Sequence, residues 1–269
     1  MLMMLTEPFH PFIAHRSLLW EMTKRDVLGR YRGASFGLLW ALLSPFLMLC
    51  VYTIAFGFIL KSKWPHAGDS KANFALILYV GLIVHGFFAE CLVRAPQLVL
   101  GNPNFVKRVI FPLDVLPWSM ILSALFHALI NMLVFVILHR ITAGPLPWTV
   151  VFFPVVLLPL VLLVAGVAWF LASLGVYLRD INQVTGVVAT AMLFLSSAIV
   201  PVEALPERYH ALFRLNPLTF IIDQARNVAL WGQQPDWAGL GIYALAALGV
   251  MYAGCAWFRG TRAGFADVL

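Results

Sequence analysis

Charged side chains are missing from six long stretches of this chain, and that spacing predicts its architecture. No Asp, Glu, Lys or Arg occurs in residues 33–60, 72–89, 115–139, 141–178, 181–202 or 237–258. A hydrocarbon layer about 30 Å thick takes roughly 20 apolar residues as a helix, and backbone groups inside it have no water to bond. The pattern therefore predicts six transmembrane helices, at 34–60, 74–96, 115–139, 152–177, 182–202 and 237–258. The fourth window is too long for one crossing, and Gly144, Pro145, Pro147, Pro154 and Pro159 shorten it. Ser44-Pro45 predicts a kink in the first span.

The segments between the spans carry their own periodicities. In 12–32, Leu18, Leu19, Met22, Val27 and Leu28 oppose Glu21, Lys24, Arg25, Asp26, Arg30 and Arg32. That balance predicts an amphipathic helix in the membrane interface, apolar side toward lipid. Its plain role is anchoring; its sharper role is to offer arginines to an anionic headgroup, because guanidinium grips phosphate bidentately. Residues 101–112 form a basic and aromatic knob between Gly101-Asn102-Pro103 and Pro112, read either as a connector or as a short helix that docks a cytosolic partner. Arg179 and Asp180 sit in a turn so tight that spans four and five should be antiparallel neighbours. Between spans five and six, 204–235 reads as two short helices hinged at Asn216-Pro217. In the second of these, Leu218, Ile221, Ile222, Ala225 and Val228 oppose Asp223, Arg226 and Asn227. Such a pair suits a re-entrant hairpin on the outer side. The fold class is thus all-α and integral to the membrane, with a short cytoplasmic tail at 259–269.

Composition agrees with that picture. The chain is 62% hydrophobic and 11% charged, against roughly 25% charged residues in soluble domains. The net charge of +6 does not imply nucleic acid, because the cations sit in short loops and flanks as topogenic signals do. With the N-terminus in the cytoplasm, Arg16, Lys24, Arg25, Arg30, Arg32, Lys107, Arg108, Arg179, Arg259 and Arg262 fall inside. Lys61, Lys63, Lys71, Arg140, Arg208, Arg214 and Arg226 fall outside, and Arg94 lies in a helix end. The excess favours both termini in the cytoplasm. Cys50, Cys91 and Cys255 each lie in an apolar window and read as buried thiols. No cleavable signal peptide is expected in 1–32, which mixes acids, bases and prolines.

Catalytic signatures are missing from the sequence. It has no G-x-x-x-x-G-K-[ST], no H-E-x-x-H and no G-x-S-x-G. No metal site is expected, and His85 and His127 read as satisfied buried histidines. Glu90 and Arg94 are four apart near the end of the second span and read as a structural ion pair. Uphill transport would therefore need energy from another polypeptide.

Four motifs occur in order along nearly the whole chain. They are Lys24-Arg25-Asp26 with Arg30-Tyr31-Arg32-Gly33, Gly37-Leu38-Leu39-Trp40, Pro45, Val51-Tyr52 and Phe56-Gly57; then Asn102 to Arg108 with Phe111-Pro112; then Tyr177-Leu178-Arg179-Asp180; then Leu205-Pro206-Glu207-Arg208-Tyr209 with Leu215-Asn216-Pro217-Leu218. Together they resemble the ABC-2 type polysaccharide export permeases, O-antigen exporters above all, with capsule and teichoic-acid exporters close by. The resemblance implies a homodimer that joins two cytosolic ATP-binding cassette subunits and exports a lipid-linked glycan, such as an O-antigen on undecaprenyl diphosphate. It implies no cofactor in this chain, ATP and Mg being bound by the partner, and a place in the bacterial cytoplasmic membrane. Carried over residue by residue, Arg25, Arg30 and Arg32 become headgroup contacts. Asn104, Phe105, Val106, Lys107, Arg108 and Val109 become the coupling helix. Trp40, Tyr52, Phe56 and Phe194 become tunnel aromatics, set against ordinary helix packing in a chain with 21 Phe. Tyr209, Asn216 and Pro217 become the outer gate, and Arg179 and Asp180 a second cytoplasmic turn.

A different class remains open on the sequence: a membrane-bound transferase or hydrolase acting on a lipid-linked sugar. It would need clustered acids, whereas Asp26, Asp180 and Glu203 are scattered along the chain. The topology is directly testable. Cysteines placed at Tyr209 and at Asn227 should react with an impermeant thiol reagent on intact cells, and one at Arg108 should not; the reverse labelling would invert the orientation.

Overall fold

The computed structural model describes residues 7–59, 71–106 and 111–268, and among them every regular element is helical. The leader is two helices, α1 (His10–Ala14) and α2 (Arg16–Tyr31), rather than one over 12–32. His15 leaves helical geometry between them (φ −127°, ψ 30°). Each piece docks separately on the third span, which is what the break permits. Trp118 of that span donates its indole N–H to the Pro8 carbonyl at 2.7 Å and meets Phe12 edge-on at 4.8 Å. Leu19, Met22, Thr23 and Val27 of α2 are buried against the same helix. The apolar face expected to lie on lipid is therefore covered largely by protein, while Trp20 and Leu28 stay exposed.

The first span begins with a 3-10 turn, Gly37–Leu39, continues as α3 (Trp40–Tyr52) through Pro45, and widens to a π-helix over Thr53–Ile59. It is followed by α4 (Lys71–Arg94), the short α5 (Gln97–Leu100) and α6 (Pro103–Val106), and then α7 (Val115–Thr142). A 3-10 turn, Trp148–Phe152, leads into α8 (Phe153–Tyr177). The chain then forms α9 (Ile181–Phe194), α10 (His210–Leu215), α11 (Pro217–Ala229), α12 (Trp237–Thr261) and α13 (Phe265–Val268). Lys61, Lys63, Lys107, Arg108 and Val109 lie outside the described residues, as does the side chain of Phe56.

Among the described residues, five helical stretches are long and apolar enough to cross a membrane. The fifth expected span, 182–202, is the exception: α9 has 14 residues, which at 1.5 Å each makes about 21 Å. Where the helix ends, a serine takes up one of its last carbonyls. Ser196 Oγ donates to the Leu193 carbonyl at 3.1 Å, an alternative to the backbone ladder. Nor is α8 the main neighbour of α9, despite the tight turn between them. α9 packs chiefly on α4, where His85 Nε2 meets the Ala189 carbonyl at 2.9 Å.

The closest helix crossing joins α8 to α12. A Cβ on Gly254 would collide with the Gly166 carbonyl, and one on Gly166 with the backbone of Val250. Lipid tails are as apolar as leucine, so association relies on such close backbone approach. Beyond it, Arg259 at the end of α12 pairs with Glu7 and, at 3.5 Å, with Asp114. This is the terminal end of the bundle; the α10–α11 hairpin lies at the other. Gly166→Val should destabilise the bundle by ~1–3 kcal/mol or more through overpacking. Gly249→Val, with open space beside it, should melt as the parent does in detergent; equal melting of all three would show that the crossing is not tight.

Candidate functional site

At the terminal end, a left-handed glycine sets the geometry. Gly33 (φ +88°) turns the chain from α2 into the first span, a conformation costly for other residues. The turn leaves Arg30 beside α4 and α7, where its Nη1 lies 2.7 Å from Glu90 Oε1. Arg94, one turn along α4, reaches the same oxygen at 3.0 Å and Asp26 of α2 at 3.3 Å. From α7, His127 Nδ1 lies 3.0 Å from both Glu90 oxygens and 3.0 Å from Arg30 Nη1. Asn131, one turn further, donates to the His127 carbonyl at 2.7 Å and accepts from the Tyr79 hydroxyl at 3.2 Å.

A cavity of about 350 Å³ opens beside this knot, walled by Arg30, Tyr31, Trp40, Glu90, His127 and Asn131 among others. Burial pushes the Tyr31 phenol up, with Arg30 opposing, so it stays a neutral hydrogen-bond donor. Arg30 and Glu90 are the charged side chains of the cavity wall; behind them Arg94 bridges Glu90 and Asp26, and Arg25 Nη2 lies 3.6 Å from Asp26. Such a cleft can take an anion through charge-assisted hydrogen bonds, with an indole ring nearby.

The structure distributes the expected site residues unevenly. Arg30 and Trp40 share the cavity. Arg32 is exposed beyond the end of α2. Arg25 instead lies over the Phe105 ring, 5.6 Å from its centroid, and Phe105 stacks on Phe111 at 4.2 Å. The leader is thereby joined to α6, where Asn104 is exposed and Val106 half-buried. Arg179 and Asp180 are exposed in the turn before α9. Tyr52 is half-buried, and Phe194 is exposed at the end of α9.

At the hairpin end, the apolar face Leu218, Ile221, Ile222, Ala225 and Val228 is fully buried, as its spacing predicts. Tyr209 is exposed, under the Arg208 guanidinium at 4.7 Å. Asn216 caps α11, accepting from the Leu218 N–H at 2.9 Å. Its Nδ2 donates to the Met192 and Leu195 carbonyls at 3.2 and 3.0 Å. Pro217 starts α11, and its carbonyl accepts from the Tyr243 hydroxyl at 3.1 Å.

Arg226 departs from expectation. Placed by spacing on the polar outer face, it is fully buried. It donates to the carbonyls of Ile77 (3.1 Å), Ser197 (2.7 Å) and Ala198 (3.0 Å). The reason is the early end of α9, which leaves carbonyls that a guanidinium can satisfy. Gly81 makes the room, since a Cβ there would sit 2.7 Å from Arg226 Nη2. His127 is the other residue the sequence reading undervalued. The signal was present in its i,i+4 spacing to Asn131 within an apolar helix that also carries Ala124 and Ala128.

With this geometry established, comparison with known proteins identifies the class. Residues 17–230 match the family described as ABC-2 type transporter, and the chain belongs to that family. It is therefore a multi-pass membrane subunit of transporter type. It is similar to the O-antigen export system permease protein RfbA of Myxococcus xanthus, 24% identical over 255 residues that cover 94% of this chain and 95% of the relative. A protein of the same name from Klebsiella pneumoniae is 23% identical, again with 94% and 95% covered. The polysialic acid transport protein KpsM of Escherichia coli is 25% identical over 87% of this chain and 90% of its own length.

Removing Arg226 would orphan the buried Ser197 and Ala198 carbonyls beyond the end of α9, each worth about 1–3 kcal/mol when unpaired. Arg226→Ala should therefore lower the detergent melting temperature markedly, and Arg226→Lys should recover part of it. A melting curve unchanged by alanine would contradict this role.

Proposed function

We propose that this chain is the permease subunit of an ABC exporter that carries a lipid-linked polysaccharide, most simply an O-antigen on a polyprenyl diphosphate, across the bacterial cytoplasmic membrane. Two copies would form the path, and two separate cytosolic subunits would bind and hydrolyse ATP. Both termini would face the cytoplasm. The observation that carries this reading is the cavity walled by the Arg30 guanidinium and the Tyr31 and Trp40 rings, at the end of the bundle that also holds α6. A diphosphate headgroup at the inner leaflet concentrates negative charge at that depth, and arginine forks match it.

Other features support the assembly. Only 11% of the first span's apolar window is buried, against 67% for the second. Leu42, Leu43, Phe46, Leu47 and Val51 of α3 and Val184, Val187 and Phe194 of α9 are exposed. An under-covered span and an under-covered shorter helix suit a path shared with a second copy. The relatives named above are described as O-antigen and polysialic acid transport proteins, which favours a glycan cargo over the enzyme reading.

Two experiments test this. Arg30→Ala should cut glycan export by tenfold or more while membrane insertion and ATPase assembly persist, and Arg30→Lys should recover only part, having lost the fork. Full export by the alanine variant would remove the cavity from the path. Phe105→Ala should leave insertion intact but weaken assembly with the ATPase or uncouple its hydrolysis from export, as buried aromatics often dominate affinity. Normal coupling would exclude α6 as the docking element.

A further inference from the structure

The cavity that would take the headgroup is not empty of anions. Glu90 already occupies the position a phosphate oxygen would want. It accepts from Arg30 at 2.7 Å, from Arg94 at 3.0 Å and from His127 at 3.0 Å. These donors come from the leader helix α2, from α4 itself and from α7. Any anion that enters must compete with this carboxylate for Arg30.

The three attachments are unequal. Arg94 sits on the same helix as Glu90, one turn away, and holds Asp26 as well at 3.3 Å. His127 is buried in α7, where its ring meets Tyr31 edge-on at 5.9 Å and its backbone carbonyl accepts from Asn131. Arg30 lies in the last turn of α2, its Nη1 also 3.0 Å from His127 Nδ1, and half of its side-chain surface is exposed against 14% for Glu90. Arg30 is thus the member that can swing. When it leaves, Glu90 keeps Arg94 and keeps the imidazole N–H of His127. The carboxylate is never stranded, which is the condition that normally makes breaking a buried pair expensive.

We propose that Glu90 is the resident counter-anion of this site: it holds Arg30 when no headgroup is present, yields Arg30 to an incoming diphosphate, and reclaims it when the diphosphate departs. Glu90 is then a positioning residue that sets how tightly the headgroup is held and how readily it is released. The inference rests on the proposed headgroup reading and specifies the regulation of that same cavity. No bond is made or broken; the step is an exchange of ion pairs on one guanidinium.

The test uses the permease with its ATPase partner in nanodiscs, with undecaprenyl diphosphate as the probe. Glu90→Gln keeps the shape and removes the competing charge, so it should bind the probe at least tenfold more tightly and export glycan more slowly. Glu90→Asp, shorter by one methylene, should keep Arg94 paired and tighten binding less; it stands in if the glutamine variant does not fold. Adding Arg30→Ala to Glu90→Gln should abolish the gain. Inorganic pyrophosphate should compete with the probe, and more strongly in Glu90→Gln than in the parent. Phosphatidylglycerol at equal mole fraction should not compete, and competition as strong as that of the diphosphate lipid would overturn the proposal. If Arg30→Ala loses the probe but neither Glu90 variant gains affinity, the exchange is wrong and the headgroup reading stands. If Arg30→Ala binds the probe as the parent does, the headgroup reading falls and the exchange with it.

Discussion

Inside hydrocarbon every backbone carbonyl must find a donor within the protein, and the bundle is organised around the place where its own helices fail to supply one. α9 stops after Phe194, and the carbonyls from Met192 to Ala198 are left without a continuing ladder. Asn216 takes Met192 and Leu195, Ser196 takes Leu193, and Arg226 takes Ser197 and Ala198. The donors all come from the hairpin or from the break itself. The short fifth helix and the re-entrant pair are therefore one unit: neither could sit at membrane depth without the other. Arg226 extends the unit to α4 through Ile77, so a single guanidinium ties hairpin, broken helix and second span together.

The opposite end solves a different problem. There, charges are concentrated rather than neutralised one by one, and Glu90 is the point where α2, α4 and α7 meet. Arg226 is locked by backbone carbonyls that cannot leave. Arg30 is held by a side chain that has two other partners. One arginine is structural and the other is exchangeable, although the sequence presents both as cations beside apolar segments. Burial and the nature of the acceptor make the difference.

The spans were legible because a charge-free run of adequate length has few alternatives in a membrane. The buried face of α11 was legible from its 3.6-residue spacing, and the Glu90–Arg94 pair from its i,i+4 interval. What the sequence obscured shares one cause: spacing reports which face a residue is on but not what lies opposite. Leu19, Met22 and Val27 form an apolar stripe, yet the surface that covers them is α7 rather than lipid. Arg226 reads as solvent-facing until the ends of the fifth helix are known. Arg30 and His127 are 97 positions apart, and the docking of α2 on α7 brings them together.

The Gly166–Gly254 crossing has a consequence for how the chain is made. Ribosomal synthesis delivers the α12 segment after the other spans described here, so the tightest contact of α8 cannot form until those spans have been made. Until then the notch at Gly166 faces lipid or the insertion machinery. Arg259 follows directly behind it and pairs with both Glu7 and Asp114. Folding of this subunit therefore closes in a late step, with α12 acting as the bolt that joins the segment before α1 to the start of α7.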